Sequence, residues 1–164
     1  MIDSTLKLLF LDIDGVLNKQ GHDAPQDKFT IAGGILNHTC VDALNELIEA
    51  TGAKIVISSA WRQKGLAYQD ILLGSGVVGD VIGETPSLGG YCFRGNEIWA
   101  YVSENLDMLG VKSAHDFRQY LIVDDSDDML YWQRNNIYRT ESTVGLTANG
   151  AYRAARQLNG FVNI

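Results

Sequence analysis

Two acidic clusters and a pair of serines are the residues here whose types and spacing suit chemistry. Asp12 and Asp14 stand two positions apart in Asp12-Ile13-Asp14-Gly15. Ser58 and Ser59 are adjacent, and Asp124-Asp125 is followed at once by Asp127 and Asp128. Alone, each has an ordinary explanation: an Asp–x–Asp–Gly often marks a solvated turn, and Ser or Asp–Asp commonly caps the segment that follows. Their order is less ordinary. Each cluster directly follows a short apolar run, and a basic residue lies between the second and the third. In open parallel sheets, ligands bind in the crevice at the carboxyl ends of the strands. The clusters can therefore converge, although more than 100 positions separate the first from the last. Two carboxylate clusters in one crevice repel each other unless neutralised. A hard divalent cation with oxygen ligands, such as magnesium, is the natural remedy.

The elements that must position these residues follow from the apolar pattern. Lys7–Leu11, Lys54–Ile57 and Tyr120–Val123 are continuous apolar runs of the kind buried on both faces of a parallel sheet. A weaker strand is expected over Gly76–Ile82 and a short fifth one at Asn136–Tyr138. Helical spacing marks Thr39–Ala50, closed by Gly52, and also Gly65–Leu73, Asn96–Leu109 and Ala148–Leu158. Asn18–Gly34, with Pro25 in its middle, reads as a loop or small hairpin. The Glu84–Arg94 stretch reads as a loop. Strands alternating with helices predict an α/β fold with a mainly parallel sheet. With no repeat or linker, one domain over residues 1–164 is expected.

Composition narrows the setting. The chain is 46 % apolar and has two cysteines, Cys40 and Cys92, expected as free thiols. No run reaches the ~18–20 apolar residues that span a bilayer, and the start lacks the pattern of a secretory leader. A soluble, cytoplasmic protein without a membrane partner is expected. The formal net charge is −7. Such a balance disfavours strong non-specific binding to a phosphate backbone, although a bound cation would offset part of it.

At the chemical residues the sequence resembles the haloacid dehalogenase (HAD) superfamily of phosphohydrolases. Residues 9–18 (LFLDIDGVLN) are similar to its first motif, 55–58 (IVIS) to its second and 121–129 (LIVDDSDDM) to its fourth. The third motif is a single Lys or Arg. The resemblance is closer to a branch related to RNA-repair phosphatase modules. The strings DGVLN, Ser58-Ser59-Ala60-Trp61-Arg62, Arg94-Gly95-Asn96-Glu97-Ile98 and Gly145-Leu146-Thr147 carry it, and it spans about residues 7 to 158. It implies a Rossmann-like three-layer domain and a magnesium-dependent phosphatase working through an aspartyl-phosphate.

The resemblance also implies roles. Asp12 would be the nucleophile, and Asp14 the acid and base. Asp12, the Asp14 carbonyl, Asp124 and Asp125 would form the Mg2+ site, with the order of Asp124 and Asp125 left open. Asp128 would lie one shell out, and Asp127 reads as a solvated acid at a helix start. Ser58 would bind the phosphoryl group. Arg94 is the preferred third-motif cation, with Arg62 and Lys64 as competitors; Arg62 would otherwise hold a second phosphate or form a surface ion pair. Trp61 is expected to pack beside the crevice, or else to stack on a base. Trp99 and Trp132 read as packing, and His22, His38 and His115 receive no role.

About 23 residues separate Asn18 from Val41 and about 35 separate Ser59 from Arg94, too few for an inserted cap domain. A capless site, or one with a minimal flap from residues 19–34, is expected. By analogy such a site admits large phosphorylated substrates, a nucleic-acid end among them, while the acidic balance favours a nucleotide or small phosphate ester. Two other classes stay in play: a phosphorylation-controlled binding module and a non-catalytic HAD scaffold. A binding module needs no equivalent of Asp14.

Overall fold

The computed structural model describes residues 6–21, 36–64 and 67–163, the side chains of Lys64 and Ala67 excepted. The sequence-predicted hairpin and flap between residues 18 and 34, and His22, lie largely or wholly outside this set.

Apolar runs too short for helices form the strands. They are β1 (Leu8–Leu11), β2 (Lys54–Ile57), β3 (Val81–Glu84), β4 (Tyr120–Asp124) and β5 (Ile137–Arg139). All pair in parallel, in the order β3-β2-β1-β4-β5. The three runs richest in apolar residues are the three central strands, where both faces are covered and a polar side chain would be stranded. Successive side chains alternate between the two cores. Leu9, Leu11, Ile57 and Val123 face α1 (His38–Thr51) and α5 (Ala148–Asn159). Leu8, Phe10, Val56 and Ile122 face α3 (Arg94–Glu104), which contributes Ile98 and Val102. The result is the expected three-layer, Rossmann-like α/β fold, completed by α2 (Ala67–Gly74) and α4 (Leu106–Leu109).

Residues 59–94 carry a 3-10 turn at Ala60–Lys64, α2 and the sheet strand β3, so no cap domain is inserted there. Helix α1 begins at an Asn37 side chain that accepts from the backbone of Thr39 and Cys40, and it ends at Gly52 with φ +66°. Cys40 and Cys92 form no disulfide, as expected. No helix among the described residues is long and apolar enough to cross a membrane.

Two elements depart from the sequence expectation. The strand expected over 76–82 is displaced to Val81–Glu84. The Asn45 side chain binds Gly76 O at 2.8 Å and Val78 N at 3.0 Å, which satisfies that backbone without a strand neighbour. The helix expected over 96–109 begins at Arg94 and breaks at Asn105. There the Asn105 amide donates to the Tyr101 carbonyl at 2.7 Å and takes the acceptor that a continuing helix would use.

Register sets up the site. Leu11 lies beside Ile57 on one side and Val123 on the other. The ladder continues one step further, with Asp12 N donating to Val123 O and Ser58 N to Leu11 O, each at 3.0 Å. Asp12, Ser58 and Asp124 therefore stand abreast at the carboxyl ends of three adjacent strands.

Candidate active site

Asp12 is 6 % exposed, and Asp124 and Ser58 are 1 % and 0 % exposed. Asp12, Asp124 and Asp125 each direct a carboxylate oxygen to one place, all within 4.8 Å of one another. Among the described residues Arg94 is the cation that reaches Asp12 and Asp124. Its Nη1 lies 3.3 Å from Asp12 Oδ1 and 3.6 Å from Asp124 Oδ2, and it also donates to the Ser58 carbonyl.

Among the described residues one guanidinium stands against three carboxylates, which leaves an excess of negative charge. Burial pushes the Asp124 carboxyl up to about 8, the Asp12 charge adding to the rise and Arg94 opposing it. Burial also raises Asp12, against the pull of Arg94.

Whether a metal fits can be judged from the donors. Three hard carboxylate oxygens converge, and Asp124 Oδ2 is buried without a hydrogen-bond partner. Ser58 Oγ is likewise buried and unpartnered. Buried polar atoms are rarely left so. The donor set fits a magnesium ion, which takes one or two carboxylates alongside water and phosphate oxygens.

The two serines divide their work. Ser59 Oγ accepts from Trp61 N at 3.2 Å and so caps the turn at Ala60–Lys64, and the Ser59 side chain also hydrogen-bonds the Asp12 carboxylate, while Ser58 Oγ is buried at the strand end.

Asp14 lies outside the three-carboxylate group. Its Oδ1 accepts from Asn18 Nδ2 at 2.8 Å and its Oδ2 from Trp61 Nε1 at 3.0 Å. Trp61 packs beside the crevice, as expected, and is also a hydrogen-bond donor to it. Gly15, at φ +78°, permits the turn that separates the two aspartates. The turn is tied down by Gly15 N to Asn18 Oδ1 at 2.9 Å and by Thr140 Oγ1 to Gly15 O at 2.7 Å.

Arg62 sits differently from a phosphate ligand. Its side chain is 5 % exposed and every nitrogen has a protein acceptor. Nε donates to Ser59 O, Nη1 to Thr85 and the Pro86 carbonyl, and Nη2 to both oxygens of Glu97 at 3.3 Å. Glu97 in turn accepts from Leu88 N at 3.1 Å, so the pair clamps the 85–88 loop to α3. The Lys64 side chain lies outside the described residues.

Asp128 accepts from Arg94 N at 3.2 Å and from Ser126 Oγ at 2.7 Å, and thereby sets the start of α3 and the Arg94 side chain. Asp127 starts no helix; it is exposed and pairs with Arg139 at 3.4 Å. The partners of Asp14 were within reach of sequence reading only as strings: Asn18 ends DGVLN, and Trp61 lies in SSAWR. The strings mark those residues without saying what they hold. Gly145-Leu146-Thr147 is placed the same way, with Leu146 N on the Val16 carbonyl at 2.8 Å and Thr147 capping α5.

A cleft of about 570 Å³ opens beside Asp125, lined by Arg139, Thr140, Glu141 and Ser142 among others. Just before Arg94 in the chain, Tyr91 and Phe93 are exposed.

Comparison with known proteins adds one match. The family described as "HAD domain in Swiss Army Knife RNA repair proteins" covers residues 8–151 of the chain. No curated protein and no solved structure matches it.

Proposed function

The chain belongs to the family of HAD domains in Swiss Army Knife RNA repair proteins, and on that premise we propose that it is a magnesium-dependent phosphomonoesterase acting on phosphorylated nucleic-acid ends. The observation that carries this reading is the convergence of Asp12, Asp124, Asp125 and Arg94 at the strand ends.

In the proposed reaction a carboxylate oxygen of Asp12 attacks phosphorus, and the bond from phosphorus to the ester oxygen breaks. Asp14 gives its proton to the departing oxygen. It then takes one from water, whose oxygen attacks phosphorus, releases inorganic phosphate and regenerates Asp12. The Arg94 guanidinium and the Ser58 hydroxyl hold the phosphoryl oxygens and stabilise charge on them. Asp12, Asp124 and Asp125 would hold the magnesium ion, with the Asp14 carbonyl as the further ligand that the family likeness implies. The ion would supply positive charge against the phosphoryl oxygens and the nucleophile. Arg62, with its nitrogens engaged, is a positioning residue in this scheme.

The Asp14 carboxylate, held by two donors, supports turnover over a phosphorylation-controlled binding module, which needs no such group. Two features support a substrate larger than a small ester. The cleft beside Asp125 leaves room beyond the phosphate, and Tyr91 and Phe93 offer exposed rings to a base. The test is phosphate release from p-nitrophenyl phosphate, nucleoside monophosphates and 3′- or 5′-phosphorylated oligonucleotides. Release should need magnesium, stop with EDTA and fall at least about a thousandfold in Asp12→Asn. Hydrolysis by Asp12→Asn at the parent rate would refute the mechanism. Preference for mononucleotides over oligonucleotide ends would refute the substrate class.

A further inference from the structure

A second concavity lies at the far end of the sheet. Tyr120 opens β4 and Asp124 closes it, so about 13 Å of strand separates this place from the carboxylates. It is a cavity of about 310 Å³ lined by Trp99, His115, Arg118, Tyr120, Trp132 and Arg134 among others.

Three of these rings form a triangle. Trp99 and Trp132 meet edge to face with centroids 5.3 Å apart. His115 lies 4.6 Å from Trp99 and 5.6 Å from Trp132. Trp132 is nevertheless 46 % exposed. A large aromatic ring kept half in water beside a cavity is not accounted for by packing.

The charges beside the rings point to the occupant. Arg118 and Arg134 are both exposed. Among the described residues the Arg118 guanidinium has no hydrogen-bond or ion-pair partner, while Arg134 lies over the Tyr131 ring at 4.0 Å, and its Nη1 donates to the Tyr131 carbonyl at 3.0 Å, leaving further N–H groups exposed. Lining the same cavity, they put two cations on a chain whose net charge is −7. Aromatic faces beside two exposed guanidinium groups, one of them without a protein partner among the described residues, suit a planar ring carrying a nearby anion, the chemistry of a nucleotide.

We propose that this cavity binds an unpaired nucleotide of a single-stranded nucleic acid, its base on the Trp99–His115–Trp132 cluster and its phosphate at Arg118 and Arg134. The site is separate from the carboxylate crevice and does not depend on the chemistry assigned there. With two phosphate-facing cations, binding should be local and only modestly salt-dependent, compatible with an acidic protein.

The probe is a short single-stranded RNA with fluorescein on an internal base and a hydroxyl at both ends, which offers no terminal phosphate to the crevice. Anisotropy should report binding by the parent protein and equal binding by Asp12→Asn. Trp132→Ala should weaken it about tenfold, as loss of one stacked base does. Arg118→Ala should weaken it and reduce the salt slope by about one. Both variants should hydrolyse p-nitrophenyl phosphate as the parent does. Unchanged affinity in Trp132→Ala and Arg118→Ala would overturn the proposal, as would no binding at millimolar protein. So would a dimer abolished by Trp132→Ala in a parent that binds no RNA, which would give the cavity to a second copy of the chain.

Discussion

Trp61 Nε1 donates to Asp14 Oδ2 at 3.0 Å while Asn18 Nδ2 donates to Oδ1, so both oxygens of one carboxylate are held, one from the first motif and one from the second. The link joins the turn after β1 to the turn after β2. A carboxylate that must give and then take a proton benefits from a fixed orientation, and two donors supply one.

Trp61→Phe keeps an aromatic ring and removes the donor. If Asp14 is the acid and base, kcat should fall about tenfold, with KM nearly unchanged, because a hydrogen bond to a charged group contributes about 1.5–3 kcal/mol. Asp14→Asn should lose about 10²–10⁴ in rate. Steady-state kinetics on p-nitrophenyl phosphate would show whether the two effects share a step. A Trp61→Phe loss confined to KM would place the tryptophan on the substrate.

Gly15 should tolerate no side chain. At φ +78° a Cβ is strained, and it would meet Asp125 Oδ2 at 2.2 Å. Gly15→Ala is expected to destabilise the protein by about 1–3 kcal/mol and to weaken magnesium binding by displacing Asp125. Urea denaturation with and without magnesium separates the two effects. A variant that binds the ion like the parent would show that Asp125 is not a ligand.

Magnesium affinity should rise with pH up to about 8. Without metal, the folded protein keeps the Asp124 proton up to about 8, whereas an ordinary carboxyl near 3.8 has lost it long before. The folded state thus binds more protons than the unfolded chain between about 4 and 8. The Asp124 contribution to metal-free stability must therefore fall as pH rises through that window and level off above it. The difference between parent and Asp124→Asn in urea titrations isolates this slope. Calorimetry in buffers of different ionisation enthalpy should record a proton released as magnesium binds at neutral pH. A parent–variant difference that grows in the parent's favour with rising pH would contradict the assignment.

Breaking the Arg62–Glu97 pair should cost stability before it costs chemistry. The two side chains are 5 % and 10 % exposed, and removing one partner of a buried pair costs about 3–5 kcal/mol. Glu97→Ala should lower the urea midpoint accordingly and free the 85–88 loop, which loses the Leu88 hydrogen bond. Parent-like stability with a raised KM would instead make Arg62 a substrate ligand.

Much of the fold was legible because its signals are local. An apolar run of four or five residues reads as a buried strand wherever it occurs, and the polar cluster after it marks a strand end. β1, β2, β4 and the helices α1 and α5 were therefore visible within a residue or two. β3 was misplaced because Asn45, over thirty positions away, satisfies the backbone of residues 76–78. The break at Asn105 is a side chain competing for a single carbonyl, which apolar periodicity does not register.

The sequence by itself determined which residue types stand at the strand ends, Asp12, Ser58 and Asp124, because strand, cluster and order are all written in short segments. Tertiary structure alone decided their company. Arg94 rather than Arg62 faces the carboxylates because Asp128 sets the start of α3 while Glu97 and Thr85 hold Arg62. Ser59 rather than Ser58 caps the turn, and Trp61 reaches Asp14, because the β1–β2 register brings the two turns together. Each of these depends on hydrogen-bond partners tens of positions away or on which of two neighbours turns inward, and neither is encoded in spacing along the chain.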